Sequence, residues 1–272
     1  MNHIQSLDIV VPVYNEGPYI ESFHSLLVSH IKPLGIPCTI IYVNDGSIDD
    51  TQDHLLKMAA ADFPVQVIEL SRNFGHQAAL SCGMDASTAD FVITMDGDGE
   101  HPPEKIPEMI SLAEQGYDQV LTQREEAQTA TKFKQWTSDV FYRLLTRITS
   151  TPIQKGVGDF RLMSRPVVDA LNSMPEAHRF LRGMVVWVGF STVILPYTPA
   201  KRIGGSSKYS LRKMITLAIN AIYSFSLAPV TVTMLAGVLF FISSLIVGIL
   251  GIVQAGANPT WHPLLVFLIL FC

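Results

Sequence analysis

The residues best suited to chemistry are Asp96, Asp98 and Glu100, in the run Met95-Asp96-Gly97-Asp98-Gly99-Glu100-His101-Pro102-Pro103. Three carboxylates at alternating positions in a glycine-rich turn repel one another unless a cation joins them. Oxygen ligands with room for waters suit Mg²⁺ or Mn²⁺, and such an ion would bridge to the phosphates of a bound ligand. The blander reading is an acidic turn that caps a helix beginning near Pro103. A second cluster, Asn44-Asp45-Gly46-Ser47, runs into Asp49-Asp50-Thr51, and a third is Pro12-Val13-Tyr14-Asn15-Glu16. Residues 44–51 could be only a turn and a helix N-cap. Taken together, Pro12, Tyr14, Asn15, Glu16 and Asp45 could instead hold a base and ribose through carboxylate and amide hydrogen bonds. The first apolar run, residues 7–13, is not followed by GxGxxG, and no Walker-type loop occurs. A nucleotide would therefore be gripped by a metal and acidic residues. His76 and His101 could act as bases, but a hydrogen-bonded structural histidine is the simpler reading.

These clusters need a frame. Residues 7–13, 39–43, 65–70, 91–95 and 119–122 are short apolar, β-branched runs that read as buried strands. Residues 19–29, 50–61, 77–86 and 104–115 read as the helices between them. This alternation predicts an α/β fold with a mainly parallel sheet covered on both faces. Ligands of such sheets sit beyond the carboxyl ends of the strands. The polar clusters follow the first, second and fourth strands, and Gln123-Arg124-Glu125 follows the fifth. Four clusters on one edge make a site.

The chain has 272 residues, 48% hydrophobic and 16% charged, which is too apolar for disorder and rich for a soluble enzyme. Its net charge of −5 is unevenly spread: acidic residues dominate before residue 160, basic ones dominate 160–213, and none of either follows Met214. Within that uncharged tail, residues 230–253 are long enough to cross ~30 Å of hydrocarbon at ~1.5 Å per residue. The competing reading is a fully buried core helix. A polar, turn-prone stretch is expected at 254–263, and a second apolar run begins at Leu264. Nine residues cannot span, so a second span is expected to continue past Cys272. Lys201, Arg202, Lys208, Arg212 and Lys213 precede the first span, whereas 254–263 has no basic residue. The positive-inside rule then places the N-terminal domain on the cytoplasmic side of a cell (inner) membrane, with a multi-pass anchor. Residues 209–225 suit a helix lying along the interface. Asp8 interrupts the first hydrophobic run, so no signal peptide is expected. Cys38, Cys82 and Cys272 have no paired spacing, which points to neither a disulfide framework nor a zinc site.

Together these residues resemble the family 2 glycosyltransferases. The resemblance is greater for the branch acting on polyisoprenyl phosphates, with dolichol-phosphate mannose synthase and the bactoprenol glucosyltransferases. The carriers are VVPVYNE (10–16), VNDGSIDDT (43–51), SRNFGHQAAL (71–80), MDGDGEHPPEKI (95–106), GDFRLMSR (158–165), RFLRG (179–183) and RIGGSSKY (202–209). The first three mark the broad family. Joining GDFRLM to the GlySerSerLysTyr stretch and trailing apolar spans is specific to the lipid-phosphate branch.

The resemblance implies a nucleotide-sugar-binding GT-A-type domain over 1–200, a basic loop and amphipathic helix over 201–228, and a transmembrane hairpin over 229–272. It implies that Pro12, Tyr14, Asn15, Glu16, Asp45, Asp96 and Gly97 hold the donor nucleotide. Asp96 and Asp98 would meet the metal-diphosphate, with Glu100 as a further ligand where the branch often has Gln. Arg124, Lys134 and Ser138 match positions expected to contact the acceptor phosphate, and Arg202 and Lys208 a loop over the diphosphate. Asp159 is the candidate catalytic carboxylate. Its structural alternative is a turn residue paired with Arg161. The implied reaction transfers a sugar, glucose for preference, from a UDP-sugar to a polyprenyl phosphate, with inversion. The implied partners are the nucleotide sugar, the lipid phosphate and the membrane; no nucleic acid is expected, and self-association is left open. Three other readings compete. A processive polysaccharide synthase would need more spans and a Gln-X-X-Arg-Trp-type motif, which is absent. A transferase acting on another lipid-linked or protein acceptor could have the same donor site. A silent membrane scaffold could keep the fold, against which stand the intact Asp96, Asp98 and Asp159.

Overall fold

A computed structural model describes residues 4–61, 63–125, 156–176, 179–200 and 228–257. Strand β1 (Leu7–Val13) is buried at every position. Its one charge, Asp8, accepts from the Ser87 hydroxyl at 2.7 Å and from the amides of Thr88 and Ala89 at 3.1 Å each. β1 pairs in parallel with β2 (Cys38–Asn44) on one side and β4 (Phe91–Thr94) on the other. β3 (Val65–Glu69) continues the parallel set beyond β2. Central strands covered on both faces must be apolar nearly throughout, as these are.

The covering helices follow from the same patterning. α1 (Gly17–Ile31) buries Ile20, Phe23, Leu27 and Ile31, one helical stripe, and takes Pro18 in its first turn. That stripe packs into one core with Leu55 and Met58 of α2 (Thr51–Ala59) and Met109 and Ile110 of α4 (Ile106–Glu114). α3 (His76–Ala86) lies on the opposite face. A Cβ at its Gly83 would come within 2.3 Å of Val10 Cγ1 and 3.0 Å of Val43 Cγ2, so glycine lets this helix approach β1 and β2 closely. The expected strands and helices up to residue 125 are present, with ends displaced by one or two residues. The helix expected over 104–115 opens as a 3₁₀ turn at Pro103–Lys105.

The sheet is mixed. β6 (Val157–Ser164) inserts between β4 and β5 (Gln119–Arg124) and runs antiparallel to both. β7 (Thr192–Tyr197) adds in parallel outside β5, giving the order β3-β2-β1-β4-β6-β5-β7. Phe160 and Leu162 of β6 point into the α1/α4 core. Asp159 and Arg161 therefore point to the other face, since successive strand residues alternate. There α5 (Arg165–Asn172) and α6 (Leu181–Trp187) join α3, burying Val167, Val168, Leu171, Leu181 and Met184. Because β6 opposes its neighbours, its first residues arrive at the carboxyl edge of the other strands.

The chain divides into two compact units between residues 224 and 225. In the second, α7 (Ala228–Ala257) contains Val230–Gly251, 22 residues of mean hydropathy 2.4, long and apolar enough to cross a membrane. Phe240 and Phe241 are 65% and 71% exposed, and apolar side chains emerge all around this helix, as suits a lipid neighbourhood. The polar turn expected from residue 254 does not begin there: Gln254 to Ala257 remain helical. The expected interfacial helix at 209–225 and the second apolar run from Leu264 lie outside the described residues.

Candidate active site

The loops after β1, β2 and β3 are sewn together. Asn15 has φ 53°, the one non-glycine positive φ among the described residues, a conformation asparagine tolerates. In it, the Asn15 amide donates to Ser47 Oγ and the Asn15 Oδ1 accepts from the Ile48 amide, both at 2.9 Å. Glu16 N–H donates to Thr51 Oγ1 at 2.9 Å, and Gly17 N–H to Asp49 Oδ2 at 3.3 Å. Burial works to raise the Asp49 carboxyl, but hydrogen bonds from Thr51 and Gly17 hold it below its ordinary value. Asp45 is buried at 4% exposure, and its two oxygens accept from the amides of Phe74 at 2.7 Å and Gly75 at 2.9 Å. Gly46, at φ +67°, allows that closeness: a Cβ would lie 2.4 Å from the Arg72 carbonyl carbon. Pro12 lies one residue before the end of β1, beside Val43, with half-buried Tyr14 just beyond the strand. The sequence-derived nucleotide residues thus share one corner, and Asp45 spends hydrogen-bonding capacity on the loop that shapes it.

The acidic loop follows β4. Asp98 Oδ1 accepts from the Glu100 amide at 2.9 Å, closing a turn with Gly99 at φ 82°. Asp96 N–H donates to His101 Nδ1 at 2.9 Å, and the His101 ring stacks on Phe160 with centroids 5.1 Å apart. His101 is thus a buried, hydrogen-bonded prop of this loop. Gly97 is tight against β1, a Cβ there meeting Val13 Cγ1 at 3.2 Å. Glu100 Oε2 turns to Arg124 Nη1 at 3.3 Å, and the Ala200 amide donates to the Glu100 carbonyl at 3.1 Å.

Among the described residues no group of three His, Cys, Asp or Glu side chains converges as a metal site. Asp96 Oδ1, however, is buried without a hydrogen-bond partner among the described residues. Such an acceptor costs about 1–3 kcal/mol to leave unmet. Two carboxylates, Asp96 and Asp98, fit a hard divalent ion that keeps its other positions for water and phosphate oxygens.

Asp159 reaches the same edge from the opposing strand β6. It is 3% exposed and enclosed by cations. Arg161 Nη2 lies 2.5 Å from Oδ1, and Arg182 Nη2 2.8 Å from Oδ2 with its Nε at 3.3 Å. His76 Nε2 lies 3.6 Å from Asp159 Oδ2 and 3.3 Å from Asp96 Oδ1. Burial alone would raise the Asp159 pKa, but Arg182, His76 and Arg161 outweigh it and hold the carboxyl well below the usual range. Burial likewise opposes a charge on His76, yet Asp96 and then Asp159 push its pKa up to about 9. The alternative of an Asp159–Arg161 pair is present, but in a buried strand and not a turn. A carboxylate so strongly stabilised in its ionised form is a weak proton acceptor and a firm anchor for cations.

Of the expected phosphate contacts, Arg124 ends β5 at this edge, whereas Lys134, Ser138, Arg202 and Lys208 lie outside the described residues. From sequence Arg182 is given no role, and Arg161 only that of a partner for Asp159 in a turn. For Arg161 a signal existed, since positions two apart on a strand share a face. Arg182 carries no local sign that its guanidinium meets Asp159, 23 residues away.

The model of the family "Glycosyl transferase family 2" matches residues 8–171. An Escherichia coli prophage bactoprenol glucosyl transferase homolog is 35% identical over 97% of this chain and 88% of its own length. The bactoprenol glucosyl transferase of Shigella phage SfX is 37% identical over 83% of this chain and 74% of its own. Among solved structures, glucosyl-3-phosphoglycerate synthase from Mycobacterium tuberculosis, in complex with Mn²⁺, UDP and glucosyl-3-phosphoglycerate, superposes with a TM-score of 0.56. That likeness covers 80% of this chain and 77% of that one at 18% identity, and it shows a shared GT-A-like fold.

Proposed function

The chain belongs to glycosyl transferase family 2, and on that premise we propose that it transfers glucose from UDP-glucose to a polyprenyl phosphate at the cytoplasmic face of a membrane. The observation that carries the reading is the meeting on one sheet edge of Asp96, whose buried Oδ1 has no hydrogen bond among the described residues, and the cation-bound Asp159. The names of the relatives support the lipid acceptor and the glucose, and the Val230–Gly251 helix supports a membrane address. The domain limits proposed are a catalytic unit over 1–200, a basic juxtamembrane segment over 201–228 and a membrane anchor over 229–272.

The transfer is a direct displacement. A phosphate oxygen of the acceptor forms a bond to the anomeric carbon as the bond from that carbon to the diphosphate breaks, inverting the centre. A phosphate monoester has its second pKa near ~6, so at neutral pH the nucleophile is already ionised and needs little base. Asp159, itself held ionised, orients the acceptor side through its cations. Pro12, Tyr14, Asn15, Glu16, Asp45 and Gly97 form the nucleotide corner. Arg124, with Lys134 and Ser138, meets the acceptor phosphate, and Arg202 with Lys208 covers the diphosphate. Asp96 and Asp98 would hold Mg²⁺ or Mn²⁺, and a divalent ion there supplies charge neutralisation for the departing UDP. The test is release of UDP from UDP-glucose by the full chain in detergent. Release should depend on added undecaprenyl phosphate; release that ignores the lipid would count against the acceptor.

A further inference from the structure

We propose that His76 is a positioning residue for the transfer reaction, its imidazole Nε2 fixing the separation of Asp96 and Asp159 across the carboxyl edge. The proposal rests on the glycosyl-transfer reading above. One ring nitrogen stands 3.3 Å from Asp96 Oδ1 and 3.6 Å from Asp159 Oδ2. It is the one described side chain that touches both carboxylates, and the Asp96 oxygen it faces has no hydrogen bond among the described residues. Both distances exceed an ordinary hydrogen bond, as is common in a site that tightens around its substrates.

The ring is held from behind. His76 opens α3 directly after Gly75, whose φ of 101° turns the chain. The amides of Phe74 and Gly75 are clamped by Asp45, and Gly83 seats the same helix against β1 and β2. The backbone that carries the imidazole is therefore tied to the sheet at both ends. Without the ring, two carboxylates would face each other with nothing between them, and Asp159 would be drawn toward Arg161 and Arg182 alone. The donor diphosphate belongs on the Asp96 side and the acceptor on the Asp159 side. A fixed distance between the two is a fixed line of attack, and misplacement by ~1 Å costs about 10²-fold in rate.

Two measurements on the full-length protein in detergent decide the matter. In protein labelled with ¹⁵N-histidine, the His76 ring signals, assigned by their loss in His76→Gln, should shift on Asp96→Asn; unmoved signals would overturn the bridge whatever the substrate. In turnover, His76→Leu, which keeps bulk and loses the donor, should lower kcat about 30- to 100-fold. UDP affinity by calorimetry should stay within a few-fold, and melting within a few degrees. His76→Gln, with an amide donor of similar reach, should recover part of the loss. Equal turnover in His76→Leu and wild type would overturn the proposal, as would a loss wholly matched by unfolding or by weaker UDP binding. Should wild type transfer nothing to polyprenyl phosphate, the acceptor reading fails separately. The same comparison is then made on glucose release to water, where a His76→Leu rate equal to wild type would overturn the positioning role.

Discussion

Asp159→Asn separates an anchor from a base. The substitution keeps the side chain's size and removes its charge, leaving Arg161 at 2% exposure with the Leu181 carbonyl at 3.2 Å as its other partner. Breaking a buried ion pair from one side costs ~3–5 kcal/mol, because the remaining charge stays buried. Arg182 and His76 are 28% and 33% exposed at the side chain and can turn to water, so they add little. Asparagine still offers Arg161 an oxygen, which favours the lower figure, about 3 kcal/mol. For a unit of this size the melting point should fall by roughly 6–12 °C. Turnover per folded molecule, assayed well below that melting point, should fall by ~10²-fold or more, with UDP affinity within a few-fold. Because the wild-type carboxyl is held far below its ordinary value of 3.8, its contribution to stability is complete above that pH and is lost only as the pH falls through the depressed folded value. For the same reason raising the pH should rescue the variant weakly. Unchanged melting would refute the cation cage, and a tenfold or greater alkaline rescue would show that Asp159 removes a proton.

Three further outcomes follow from the geometry. Thorough chelation should stop transfer, and Mg²⁺ or Mn²⁺ should restore it; full turnover after chelation removes Asp96 and Asp98 as metal ligands. Gly46→Ala places a Cβ 2.4 Å from the Arg72 carbonyl carbon at φ +67°, so UDP affinity should drop several-fold as the joined loops part, and an unaltered calorimetric Kd would refute their role. His54, joined to Glu21 Oε1 at 2.6 Å and Asp50 Oδ2 at 3.4 Å, has a raised pKa owing first to Glu21. Its stabilisation is complete below the ordinary 6.5 and fades as pH rises through the folded value, so His54→Gln should lower melting more at pH ~6 than at pH ~9. Equal losses at both would contradict the bridge.

The parallel half of the sheet and the acidic loop were legible in the sequence because they are locally encoded. Apolar runs such as Leu7–Val13 are buried on both faces, and the polar clusters directly follow them. β6 was not legible as a strand, because Asp159 and Arg161 interrupt its hydrophobic pattern and are tolerated by pairing with each other and with Arg182 and the Leu181 carbonyl, distant in sequence. Glu100 reads as a third ligand from its spacing, whereas its contact with Arg124, 24 residues on, is carried by no local pattern. His76 could be read as structural from its neighbours in the chain. Its position between Asp96 and Asp159 depends on β4 and β6 lying side by side, which no local pattern encodes. Asp45 shows the converse: a site residue by motif, it also braces the Phe74–Gly75 turn that carries His76.

The mass of the lipid product shows whether the sugar reaches a polyprenyl phosphate. The full chain, in detergent with Mg²⁺, is offered undecaprenyl phosphate and a panel of nucleotide sugars, and the extracted lipid is weighed by mass spectrometry. Undecaprenyl phosphate carrying one hexose should appear with UDP-glucose and be absent with Asp96→Asn. Sugar appearing on a saccharide or protein acceptor while the lipid phosphate stays unmodified would contradict the lipid acceptor.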